Sequence, residues 1–433
     1  MLCKCGAVFP RRYEIDWESR PSVVFESDDW GACELAPNPA AFERYAALIR
    51  RRSGDCQYSP TLESPADLER LFSILEARRG ADGLPAVFTA FTCVGNPDFA
   101  AIRANGFTEY ADIGLDRGVP SGWERGDIAG KMREGLDRGV WAPEFHSFLH
   151  HTSPKRLMER LNSDSPDGEL ARELFDLGCY YQGEHVPEYE GLIVREQFER
   201  VAGGVERFRN IFGFSPSAAV TSDAYPETEI VWAANGVKAI CLKNCRVNTG
   251  DVVVYPTKPW NMQNVYQKIG GYNETLGAVY LTRNVFFECL YNGSERSGHS
   301  AAEVLSVIER CFGAYNEPAM VSTHRTNYVS FDSEMTKMRY NELERLLRAL
   351  QERGVFFLTS GEVAELYRSG RSLRKFGGRA VFRRWAANAE PLKWTEPLRS
   401  VKRLPGMKEI KTDAGDINIL PCGDYLINTE KAV

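Results

Sequence analysis

Three of the chain's six histidines fall within one short stretch, Phe145-His146-Ser147-Phe148-Leu149-His150-His151. If this segment turns helically as it leaves a strand, the spacing of four puts His146 and His150 on one face. Two imidazoles on one face are nitrogen ligands for zinc or iron. An Asp from another strand end would complete a two-histidine, one-carboxylate set with positions left open for water. The competing reading is a pair of capping or core histidines. His151 neighbours His150 in sequence and is expected to point elsewhere.

A second stretch offers the carboxylate: Ser22-Val23-Val24-Phe25-Glu26-Ser27-Asp28-Asp29-Trp30-Gly31. Apolar β-formers running into two adjacent acids read as a buried strand with the acids where it emerges. Adjacent strand residues point to opposite faces, but at a strand end the chain can turn both toward one pocket. Two carboxylates held this close do not both ionise freely unless a cation sits nearby. The plain alternative is a pair of turn or helix caps. A third stretch, Ala319-Met320-Val321-Ser322-Thr323-His324, ends an apolar strand on a lone histidine. Its alternative is a core histidine.

The elements that must position these groups alternate along the chain. Helical spacing is expected over 39–52, 67–79, 195–212 and 334–353. Strands follow the opening one at 85–92, 141–146, 217–221, 237–242, within 278–288, at 319–323 and at 355–358. Strand–helix alternation repeated about eight times reads as a parallel sheet, open or closed into a barrel. In either form the strand ends carrying Asp28, Asp29, His146, His150 and His324 converge on one pocket. Residues 105–140, rich in Gly, Asp and Arg, are left as an excursion over one face.

From about Gly370 the character changes. Arg371, Arg374, Lys375, Arg379, Arg383 and Arg384 interleave with Phe376, Phe382 and Trp385. That pattern suits either a patch for an anionic polymer or membrane surface, or a solvated tail whose aromatics dock on the main domain; the tail is preferred. The expected division is therefore 1–369 as the main unit and 370–433 as a C-terminal extension, with a hairpin through Pro421-Cys422-Gly423.

At 433 residues, 43% hydrophobic and 26% charged, the chain has the composition of a globular protein. A net charge of −6 argues against nucleic-acid binding. There is no apolar run of roughly 18 residues, so no transmembrane helix is expected. The N-terminal residues carry no apolar core of signal-peptide length. Eleven cysteines without repeating spacing fit a reducing compartment, and a cytoplasmic location is expected.

In order and strand placement these motifs resemble the polysaccharide deacetylase family, metal-dependent carbohydrate esterases that include chitin, peptidoglycan and nodulation-factor deacetylases. The family's Thr-Phe-Asp-Asp-Gly motif corresponds to Glu26 through Gly31, with one residue extra before the glycine. Its His-(Ser/Thr)-x-x-His motif is met in full by His146-Ser147-Phe148-Leu149-His150, and its last motif by Val321-Ser322-Thr323-His324. The resemblance covers about residues 20–365. Two departures stand out. No Arg occurs in Ala219-Val220-Thr221-Ser222-Asp223-Ala224-Tyr225-Pro226, where an Arg-x-Pro motif belongs, and the family's Asp and Trp motif has no evident counterpart. Arg283 and Glu288 are candidate substitutes.

The resemblance implies an α/β fold, a distorted (β/α) barrel of seven or eight parallel strands with insertions. It also implies a metal-dependent hydrolase removing N-acetyl, or alternatively O-acetyl, groups from an amino sugar or polysaccharide through a metal-activated water. Asp29, His146 and His150 would hold a divalent cation, zinc first, with iron, cobalt or nickel as alternatives. Asp28 would be the general base and His324 the acid for the departing amine. Asp223 and Tyr225, at a strand end, are candidate substrate contacts. Trp30 would wall the sugar site or shift its loop. The rival readings are an inactive sugar-binding relative and a related metal hydrolase acting on a non-sugar C–N bond. His185 lies in an aromatic loop whose tyrosines could stack on a sugar ring but are read as packing the loop, and His299, in a Gly/Ser-rich turn and helix start, is read as a surface residue.

Overall fold

A computed structural model describes residues 9–53, 60–150, 153–180, 188–189, 191–220, 226–242, 269–292, 295–392, 394, 396, 398–406, 408–410, 417 and 420–429. Its centre is a ten-stranded sheet. In chain order the strands are β1 (Ser22–Trp30), β2 (Phe88–Thr92), β3 (Trp141–Phe145), β4 (Ala218–Val220), β5 (Ala239–Leu242), β6 (Gly271–Asn273), β7 (Ala278–Thr282), β8 (Val285–Phe286), β9 (Ala319–His324) and β10 (Phe356–Phe357). They lie side by side as β8-β9-β1-β2-β3-β4-β5-β7-β6, with β10 beside β1. All pairs are parallel except β6 with β7.

The eight expected strands are all present, but the sixth is divided. β7 pairs with β5 and β8 pairs with β9, on the opposite flank of the sheet, and only Arg283 and Asn284 separate them. Asn284 is stitched to the β9 side: its N–H donates to the Met320 carbonyl at 3.2 Å, and its side chain accepts from Met320 N at 2.8 Å. The interruption places Arg283 between the two flanks.

Both faces of the sheet are buried, as a parallel sheet requires. On β1, Val23 and Phe25 pack outward with Phe88 and with Leu68, Leu71 and Phe72 of the helix Pro65–Glu76. Val24 faces the other way, onto Phe91, Val220, Cys241, Leu281 and Met320. The helix Ser360–Ser369 packs Val363, Leu366 and Tyr367 into that second cluster. Because strand side chains alternate, Glu26 and Asp28 share the face of Val24. Residues 105–140 hold a helix the patterning left unassigned, Ile128–Arg138, capped by Asp127 and ended by left-handed Gly139.

The segment beyond Gly370 is not a solvated tail. Its strands Arg371–Phe376, Arg379–Arg384, Gly423–Thr429, Leu398–Leu404 and Lys408–Ile410 form a five-stranded antiparallel sheet in that spatial order. Arg383 is buried and bridges Asp82 at 2.7 Å, Glu362 at 3.0 Å and Asp424 at 2.9 Å. A guanidinium taken out of water needs such partners, so Arg383 is structural. Among the described residues every cysteine is free, and no helix is long and apolar enough to cross a membrane.

Candidate metal centre and active site

The two acids are separated by a bulge. β1 pairs with β2 as Ser27 with Ala90 and then Trp30 with Thr92, so β1 carries one residue more. Asp29 adopts the left-handed conformation (φ 75°), which Asp tolerates better than most residues. Gly31 follows at φ 81°, where a Cβ would lie 2.6 Å from the Cys93 carbonyl, so glycine is required. A regular strand would send Asp28 and Asp29 to opposite faces. The bulge instead lets each meet its own partners within one site.

Asp29 meets the two histidines. His146 follows β3, and His150 is reached through Ser147 in a left-handed conformation (φ 85°), not through a helical turn as the spacing suggested. The Asp29 Oδ1 lies 3.1 Å from His146 Nε2 and 3.0 Å from His150 Nε2, and all three residues are buried. His146 Nδ1 is 2.8 Å from the Val220 carbonyl, and His150 Nδ1 is 3.1 Å from Glu34 Oε1. Each Nδ1 faces an acceptor, so with its hydrogen there each Nε2 is free to turn a lone pair toward a cation beside Asp29. Two nitrogen lone pairs and a carboxylate oxygen, all within 4.8 Å of one another, repel unless something positive lies among them. This buried group could bind a metal ion, and its donor set fits zinc and its neighbours.

Asp28 points along the other branch. Arg283 grips it with two bonds, Nη1 to Oδ2 at 2.7 Å and Nη2 to Oδ1 at 2.6 Å, and donates from Nε to Glu26 Oε2 at 2.8 Å. Burial would raise the Asp28 carboxyl, but the guanidinium outweighs it and holds the pKa below the usual value. Opposite in register stands His324, its Nε2 3.7 Å from Asp28 Oδ2 and its Nδ1 2.7 Å from Glu288 Oε1. Burial would lower this imidazolium; the Glu288 carboxylate reverses that by charge and hydrogen bond and raises it to about 9. Glu288 is itself held by Asn327 Nδ2 at 2.9 Å, and its N–H donates to His299 Nδ1 at 3.1 Å. His299 is therefore built into the frame of the site and is not a surface residue. With side chains 25% and 17% exposed, His324 and Glu288 form the open side.

The structure thus brings together Asp28, Asp29, His146, His150 and His324, and with them the two candidate substitutes, Arg283 and Glu288. Trp30 is not among them. It is 1% exposed, stacks edge-on against Trp141 at 4.7 Å and donates to Ser27 Oγ at 3.0 Å. Asp223, Tyr225, His151 and His185 lie outside the described residues. Glu26, Glu34, Glu63 and Arg325 were missed. Their signal was thin: acids near a strand end, and an Arg directly after His324.

No protein-family model matches the chain, and no curated protein does. Solved structures similar to it include a 4-alpha-glucanotransferase from Thermococcus litoralis (8% identity, TM-score 0.39, 79% of this chain and 40% of that one). The chain therefore spans about 40% of that enzyme's length. Others are a proposed polysaccharide deacetylase from Mycobacterium smegmatis (12%, 0.42, 83% and 95%) and a GH57 branching enzyme from Thermococcus kodakaraensis (12%, 0.38, 78% and 69%).

Proposed function

We propose that this chain is a metal-dependent hydrolase that removes N-acetyl groups from an amino sugar or its polymer, with O-acetyl groups as a second substrate class. The reading rests on one observation: Asp28 and His324 stand opposed beside the Asp29, His146 and His150 donors, each with a partner of opposite charge behind it. A divalent cation bound by those donors supplies Lewis acidity toward water and a carbonyl oxygen. Asp28, kept ionised by Arg283, takes the proton from the attacking water. His324, kept protonated by Glu288, gives its proton to the departing amine as the C–N bond breaks. Acetate and a free amino sugar are the products.

Arg283, in the break between β7 and β8, and Glu288, just after β8, take the roles of the absent Arg-x-Pro and Asp motifs in this reading, which favours a working catalyst over an inactive sugar binder. We further propose that the sheet closes as a seven-stranded barrel through Arg283 and Asn284, with 370–433 as an appended unit. The free cysteines suit a reducing compartment such as the cytoplasm. The test is acetate release from a panel of N-acetylated and O-acetylated saccharides, with simple N-acetyl amines alongside, under added zinc, iron, cobalt or nickel. Release from the saccharides alone is expected. Release from the simple amines alone would move the reading to a non-sugar amide hydrolase.

A further inference from the structure

Behind His150 lies a buried charged chain that neither the base nor the acid uses. Glu34 Oε1 is 3.1 Å from His150 Nδ1, and Glu34 Oε2 accepts from Arg325 Nη2 at 2.9 Å. Arg325 Nη1 donates to the Ala32 carbonyl at 2.7 Å and to Glu63 Oε2 at 3.0 Å. Glu63 Oε1 in turn accepts from Gly31 N at 2.8 Å. Glu34, Glu63 and Arg325 are all buried. The chain grips the loop after Asp29 at three points, Gly31, Ala32 and Glu34, and anchors it to the residue that follows His324.

We infer that Glu34, held by Arg325, which Glu63 holds in turn, is a positioning residue that sets the cation affinity of the Asp29, His146 and His150 group. Glu34 Oε2 already accepts from Arg325 and its Oε1 faces His150 Nδ1, so the carboxylate favours the hydrogen on Nδ1 and frees Nε2 to give its lone pair to a cation. Without it the ring can adopt the other tautomer, placing an N–H where a cation would sit. Arg325 bridges the two buried glutamates, and its planar fork serves the Ala32 carbonyl, Glu63 and Glu34 from two separate nitrogens, a spread that the single ammonium of a lysine does not have. His146 takes its orientation from a backbone carbonyl, so side-chain substitution can tune only the His150 side. The inference rests on the proposed cation site.

The test is calorimetric titration of the chelator-treated full chain with zinc and with cobalt. Wild type, Glu34→Gln, Glu34→Ala and Arg325→Lys are compared, with melting curves of the metal-free forms as a fold check. Affinity is expected to fall about tenfold to a hundredfold in the Glu34 variants and in the same direction for Arg325→Lys. Nitrogen-15 spectra of the metal-free wild type should show His150 protonated at Nδ1. If Glu34→Ala does not fold, the isosteric Glu34→Gln carries the test. Equal affinity in wild type and a folded Glu34→Gln, or a His150 proton on Nε2 with Nδ1 bare, overturns the role of Glu34 and leaves the cation site standing. A wild type that binds neither cation overturns both.

Discussion

Asp28 and Arg283 are 255 residues apart in the chain and joined by two buried hydrogen bonds of 2.7 and 2.6 Å. The pairing divides the labour of two adjacent acids. Asp28 is committed to a guanidinium, while Asp29, turned by the bulge, faces the histidines. It also gives the interruption between β7 and β8 a purpose, since an unbroken strand would alternate past the site without presenting this side chain in the same way.

Arg283→Met leaves Glu26 and Asp28 buried without their cation. Breaking a buried pair from one side costs about 3–5 kcal/mol. Denaturant unfolding should show a loss of that order at an unchanged slope. Arg283→Lys keeps the charge but not the fork, and its kcat/KM on a responsive substrate should drop by about 10²-fold or more. Wild-type stability in Arg283→Met would show that the pair is not holding the site.

Substitutions at the two acids should separate cation binding from turnover. Asp28→Asn keeps the cation and loses turnover. Asp29→Asn loses both, and its fold should survive because Asn also tolerates the left-handed conformation. Elemental analysis of the purified variants reads the difference; equal metal loss in the two would mean the roles are misassigned.

Glu288→Gln removes the charge that holds the His324 imidazolium up at about 9. The acid must be protonated to act, so activity falls as pH rises through this pKa. Lowering the pKa moves the alkaline limb of the kcat/KM profile to lower pH, while the acid limb stays in place. A profile that only scales down, with both limbs unmoved, would contradict the pairing.

Glu229 tests buried charge away from the site. It accepts from the Tyr280 hydroxyl at 2.6 Å, and burial raises its pKa from 4.5 to about 7. The folded state therefore holds a proton that the unfolded state releases at lower pH. The resulting stability is fully present below 4.5 and is lost as pH rises through about 7. Over that window the loss is on the order of 3 kcal/mol. Glu229→Gln should flatten the pH dependence of thermal unfolding and be the more stable form at pH 8.

The sequence by itself determined the succession of strands along the chain, the α/β class and the five groups that converge. Those signals are local: an apolar run and the residue type at its end. Proximity of His146 and His150 was also legible, because four residues cannot separate two side chains far, although the turn joining them is left-handed and not helical. What only the tertiary structure decided was which partner each group has. Arg283 pairs with Asp28, Glu288 with His324, Glu34 with His150 and Arg325 with Glu63, each across 36 residues or more, and hydrogen bonds between such residues leave no periodicity to read. The fate of Trp30 was decided in the same way. A bulge of one residue reverses the faces of everything after it, so the tryptophan went into the core against Trp141 while Asp28 and Asp29 remained at the site.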